Sequence, residues 1–133
     1  MARILYVDDD EALADMVRET LQRAGYDVAT DGDTERVLKG FARDPDRYDV
    51  AILDHLMPRM KGLELAQWLL LNRRDLPILL VTGYPDLISL EEAKGAGIRE
   101  VLMKPLTRQA LFAALDRALV SGSEPRPSPF PQG

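Results

Sequence analysis

Ile4-Leu5-Tyr6-Val7 is an unbroken apolar run, and Asp8-Asp9-Asp10-Glu11 follows it directly. A strand with one wet face alternates apolar and polar residues, whereas a continuous run marks a strand covered on both faces. Similar runs recur at Val50-Ala51-Ile52-Leu53, at Ile78-Leu79-Leu80-Val81 after Pro77, and at Val101-Leu102-Met103, with a weaker strand around Asp27–Thr30. Helical spacing fills the intervals. Leu13, Met16, Val17, Leu21 and Ala24 make the first stripe, and Gly25 stops it. A second helix spans about Thr34 to Arg43 with Asp33 as its cap. Two more are predicted over about Gly62–Leu71 and Asp86–Lys94, the latter closed by Gly95-Ala96-Gly97. In the third, Trp68 reads as part of the buried face with Leu65, Leu69 and Leu70. The last helix carries Leu106, Ala110, Leu111, Ala114, Leu115, Ala118 and Leu119 on one face.

Strands alternating with helices in this way predict an α/β protein with a parallel sheet covered on both sides. Right-handed crossovers then favour a doubly wound open sheet of five strands. The chain has 133 residues, 46% hydrophobic and 29% charged, which suits one globular domain and excludes wholesale disorder. Residues 121–133 (SGSEPRPSPFPQG) break the pattern, because prolines at every second position cannot continue a helix.

Composition excludes several function classes. With 17 Lys and Arg against 22 Asp and Glu the net charge is −5, which disfavours direct binding to nucleic acid or anionic lipid. The absence of cysteine excludes disulfides, thiol catalysis and zinc–thiolate sites, and a single histidine excludes a multi-histidine metal site. No apolar run is long enough for a membrane helix and no signal peptide is evident, so the expected compartment is the cytoplasm.

In an open parallel sheet, ligands bind beyond the carboxyl ends of the strands. Asp8, Asp9 and Asp10 follow the first strand, Asp54 the third, Thr82 the fourth and Lys104-Pro105 the fifth. Each has a bland reading: a helix cap for an acid, a turn hydroxyl for Thr82, a solvated charge for Lys104. Together they are more specific. Carboxylates gathered at one edge raise one another's pKa unless a cation offsets them, and hard oxygen ligands suit Mg²⁺. A carboxylate beside Mg²⁺, a hydroxyl and an ammonium suits phosphoryl transfer.

Over residues 3–119 the chain resembles the receiver domain of two-component response regulators. The resemblance rests on Val7-Asp8-Asp9, Leu53-Asp54-x-x-Met57-Pro58-x-Met60-x-Gly62, Val81-Thr82-Gly83 and Lys104-Pro105, in that order. It implies a flavodoxin-like sheet of order 2-1-3-4-5, a receiver domain over residues 1–120 and a flexible Pro-rich tail or linker over 121–133. It also implies that Asp54 accepts a phosphoryl group from a phosphohistidine on a sensor histidine kinase or histidine phosphotransfer protein. The implied Mg²⁺ ligands are Asp8, Asp9, Asp54 and the backbone carbonyl of Leu56. Thr82 and Lys104 would bind the phosphoryl group, and a cis bond before Pro105 would aim Lys104 inward. Such a domain is no separate enzyme beyond its own phosphorylation and dephosphorylation, although it can form part of a hybrid kinase. Its partners would be the kinase and an output domain or protein, and a homodimer is compatible with the pattern.

Some residues depart from the family pattern. Val101 stands where an aromatic switch residue is common, and Leu106 replaces a frequent Phe. Leu56 and Tyr84 occupy positions that are polar in many receivers, which makes them candidate modulators of phosphoryl lifetime beside a plain loop-packing role. His55 reads as structural or solvated. Two rival functions are weaker. Asp8-x-Asp10 resembles the motif of haloacid-dehalogenase phosphatases, but Ala12 lies where those enzymes usually carry Thr or Val, and the further acids they place after the Lys strand are missing. A non-phosphorylated interaction module would be expected to have lost part of the acidic set.

Overall fold

The structure, a computed structural model, describes residues 2–83 and 88–122. Its elements run β1 (Arg3–Val7), α1 (Glu11–Arg23), β2 (Asp27–Asp31), α2 (Thr34–Arg43), β3 (Val50–Asp54), α3 (Gly62–Asn72), β4 (Ile78–Thr82), α4 (Leu90–Gly95), β5 (Glu100–Met103) and α5 (Arg108–Gly122). All pairings are parallel and the strand order is β2-β1-β3-β4-β5, the flavodoxin-like arrangement.

The unbroken apolar runs are explained by the two layers that cover the sheet. Alternate residues of β1 enter different cores: Leu5 and Val7 pack with Val37, Phe41, Leu65 and Leu69 of α2 and α3, while Ile4 and Tyr6 pack with Val17, Leu21, Leu111 and Leu115 of α1 and α5. Burying one such Leu or Ile contributes about 1.5–3 kcal/mol, so both faces of the strand select apolar residues.

Helix ends follow local chemistry. Asp33 caps α2 by accepting from the N–H groups of Glu35 and Arg36. Gly25, at φ 98°, takes the left-handed turn after α1 that other residues rarely adopt.

Four expectations need correction. α4 begins at Leu90, not near Asp86, because Ser89 and Glu92 form a reciprocal capping box; residues 84–87 lie outside the described residues. α5 begins at Arg108, with Thr107 Oγ1 accepting from Ala110 N at 3.1 Å, so Leu106 precedes the helix. Its backbone continues through Gly122, two residues past the expected domain limit, before the prolines that cannot follow it. Trp68 is 50% exposed. The buried stripe of α3 is Gly62, Leu65, Ala66 and Leu69, and residue 68 is turned roughly 100° from its centre at helical pitch.

Candidate functional site

The parallel register brings the acidic strand ends side by side. Val7 pairs with Leu53 and Asp54 with Val81, so Asp8 and Asp54 leave adjacent strands at one level. Thr82 pairs with Met103, which sets Lys104 one residue beyond. The Lys104 N–H donates to the Thr82 carbonyl at 2.9 Å, and the Lys104–Pro105 bond is cis.

At this edge Asp8, Asp54 and Thr82 are buried and Asp9 is exposed. Oxygens of Asp8, Asp9 and Asp54 lie within 4.8 Å of one another. Lys104 Nζ stands 3.2 Å from Asp54 Oδ1 and 3.7 Å from Asp8 Oδ2. Burial and the charge of Asp8 push the Asp54 carboxyl up to about 6, against the pull of Lys104. Burial works against the Lys104 ammonium, but Asp54 and Asp8 outweigh it and raise its pKa. One ammonium among three carboxylates leaves an excess of negative charge facing solvent at Asp9. An oxygen set of this kind, part buried and part open, fits a small hard cation that keeps several waters.

Gly62 fits the site by what it lacks. A Cβ there would collide with the Asp54 carbonyl oxygen and crowd Leu80, so α3 reaches the end of β3 only with glycine at its first residue. Its N–H donates to the His55 carbonyl at 2.8 Å and ties the loop after Asp54 to the helix.

The remaining candidates are placed as follows. Leu56 is 38% exposed, Pro105 is exposed, and Tyr84 lies outside the described residues. Asp10 is the cap of α1, accepting from Leu13 N at 3.1 Å, so its carboxylate is engaged in the helix start. His55 is buried, and its Nδ1 has no hydrogen-bond partner among the described residues. Burial, then Lys61, lower its pKa against the opposing charge of Glu92.

Sequence reasoning missed Tyr6. Its hydroxyl donates to Asp8 Oδ2 at 2.8 Å from within the core, and burial followed by the Asp8 charge raises its pKa. The available signal was a lone hydroxyl in an otherwise aliphatic run two residues before the first acid.

Residues 4–116 match the family model described as response regulator receiver domain. Among curated relatives, the response regulator MprA of Mycobacterium leprae is 37% identical over 123 residues, covering 92% of this chain and 53% of its own length. The chain thus spans about half the length of that relative. Among solved structures, a response regulator receiver domain protein from Clostridium thermocellum superposes with a TM-score of 0.86 at 27% identity, covering 92% of this chain and 98% of that one. The response regulator TrrA of Thermotoga maritima, solved in complex with Mg²⁺-BeF, gives 0.80 at 33% identity, covering 90% of this chain and 100% of that one.

Proposed function

The chain belongs to the response regulator receiver domain family of two-component signalling, and from that membership we propose that Asp54 is its phosphoacceptor, served by Mg²⁺. The observation that carries this reading is the Lys104 ammonium set between Asp54 and Asp8, with the Asp9 carboxylate open to solvent beside them.

In the proposed reaction a carboxylate oxygen of Asp54 attacks the phosphorus of a phosphohistidine on the partner. The P–N bond breaks as the P–O bond forms, and the departing imidazole nitrogen keeps the electron pair and is protonated from solvent. Asp8, Asp9, Asp54 and the Leu56 carbonyl would hold Mg²⁺, which supplies charge neutralisation for the transferring phosphoryl oxygens. Lys104 pairs with another of those oxygens once its hold on Asp54 is relaxed, and Thr82 donates its hydroxyl to a third. Pro105 orients Lys104. The donor would be a sensor histidine kinase or a histidine phosphotransfer protein. The recipient of the signal would be an output domain or protein, with residues from 123 onward as a linker. Among the described residues no helix is long and apolar enough to cross a membrane, and a cytoplasmic site of action is part of the proposal.

The phosphatase alternative is not favoured, since Asp10 serves as a helix cap. The test is exposure to a small phosphodonor with Mg²⁺ or with a chelator. Acid-resistant, base-labile label that needs Mg²⁺ is the expected result; equal labelling in chelator would contradict the metal assignment.

A further inference from the structure

Asp8 is held from three directions. The Tyr6 hydroxyl donates to Oδ2 at 2.8 Å, the Asp10 N–H donates to Oδ1 at 2.9 Å, and Lys104 Nζ lies 3.7 Å from Oδ2. Asp8 as a residue is 2% exposed, so water cannot replace a lost donor readily. A carboxylate has about four lone-pair sites. Each oxygen accepts one hydrogen bond, but Oδ2 also faces the Lys104 ammonium at ion-pair distance, so Oδ1 is the oxygen with more capacity left for a cation or its bound water.

Tyr6 is fully buried, and its ring belongs to the core shared with Ala14, Val17, Leu111 and Leu115 of α1 and α5. Its hydroxyl therefore stands at a position set by the packing of two helices on the sheet, not by a mobile side chain. The Asp10 N–H is fixed in the same way, at the residue that caps α1. The orientation of Asp8 is thus inherited from the core beneath it.

We propose that Tyr6 is a positioning residue for the cation site, its buried hydroxyl holding Asp8 Oδ2 so that Oδ1 turns towards the ion. This rests on the proposed function, because it presumes that Asp8 serves a bound Mg²⁺. Outer partners of metal ligands commonly matter in this way, with losses of 10–100-fold in affinity on removal.

The experiment measures the Mg²⁺ dissociation constant by calorimetry, using the full unphosphorylated chain, for wild type and Tyr6→Phe. The melting temperature of each is recorded in chelator. Phe keeps the ring and removes only the hydroxyl; Tyr6→Leu is read in its place if the first variant does not fold. The expected result is a dissociation constant raised about tenfold. A purely structural role would lower the melting temperature in chelator and leave the dissociation constant within threefold of wild type, which would overturn the proposal. A wild type that binds no Mg²⁺ would overturn the proposed function and this inference together, whereas equal binding by wild type and variant would overturn the inference alone.

Discussion

The Lys104 ammonium lies 3.2 Å from Asp54 Oδ1, at the edge where β3 and β5 both end. It is the counterion of a carboxylate that burial and Asp8 together drive towards protonation. Lys104 therefore favours the ionised form of Asp54, and in the proposed function it would also bind the phosphoryl group. Replacing it by Met should move the Asp54 titration above about 6 and slow labelling by a small phosphodonor near neutral pH. Carbon-13 NMR of the Asp54 carboxyl in both proteins checks this. An unmoved titration would remove Lys104 from the role.

The same charge excess makes Asp54 a source of instability in the metal-free fold. Its folded pKa of about 6 lies above its ordinary value of 3.8. The folded state thus favours the protonated form, and the group's stabilisation is present below the lower value and lost as pH rises through the upper one. Asp54→Asn should accordingly be more stable than wild type in chelator at about pH 7.5, by on the order of 1 kcal/mol once solvent screening is allowed for. The gap should close towards about pH 4. Denaturant unfolding across that range reads it, and a gap independent of pH would contradict the assignment.

Gly62→Ala tests the tight join between α3 and the end of β3. The added methyl must displace the Asp54 carbonyl and the Leu80 side chain together. Overpacking of this kind costs about 1–3 kcal/mol, and a shift of Asp54 should reduce labelling beyond what the lost stability explains. An alanine variant with wild-type unfolding midpoint would show that the helix can slide without cost.

Leu56 and Tyr84 are proposed to flank the approach of the water that hydrolyses the aspartyl phosphate. Neither carries a carboxylate or amide to orient that water, which predicts slow autodephosphorylation. Leu56→Asn combined with Tyr84→Glu should shorten the lifetime about tenfold, equivalent to about 1.4 kcal/mol of barrier. Following loss of label in wild type and double variant at one Mg²⁺ concentration decides it; equal rates favour plain loop packing.

Much of the fold was legible because both faces of the sheet are covered. That burial forces the continuous apolar runs of β1, β3 and β4, and each run ends where a chemical side chain begins. Asp33 was readable as a cap because only Gly32 separates it from the β2 strand end. Trp68 was misread because helical periodicity gives only one buried stripe, and α3 is apolar beyond that stripe, at Trp68 and Leu71. The start of α4 was misplaced although Ser89-x-x-Glu92 carries the capping pattern, which a search confined to apolar spacing passes over. The Tyr6–Asp8 bond is a further kind of gap: it depends on side-chain direction within a core, which strand periodicity places on a face but does not pair. His55 was read as structural or solvated; its burial beside Asp54 follows from the last backbone pairing of β3, with its N–H on the Val81 carbonyl at 2.9 Å.

The central claim is that one side chain, Asp54, becomes a covalent phosphoryl carrier. Mass spectrometry of the chain after exposure to a small phosphodonor and Mg²⁺ tests it most directly, with the acyl phosphate trapped by borohydride reduction before digestion. The account predicts one phosphoryl group per intact chain before reduction and, after hydride has expelled the phosphate, homoserine at position 54, with both signals lost in Asp54→Asn. Label at Asp8 or Asp10 in the wild type, or full labelling of Asp54→Asn, would contradict it.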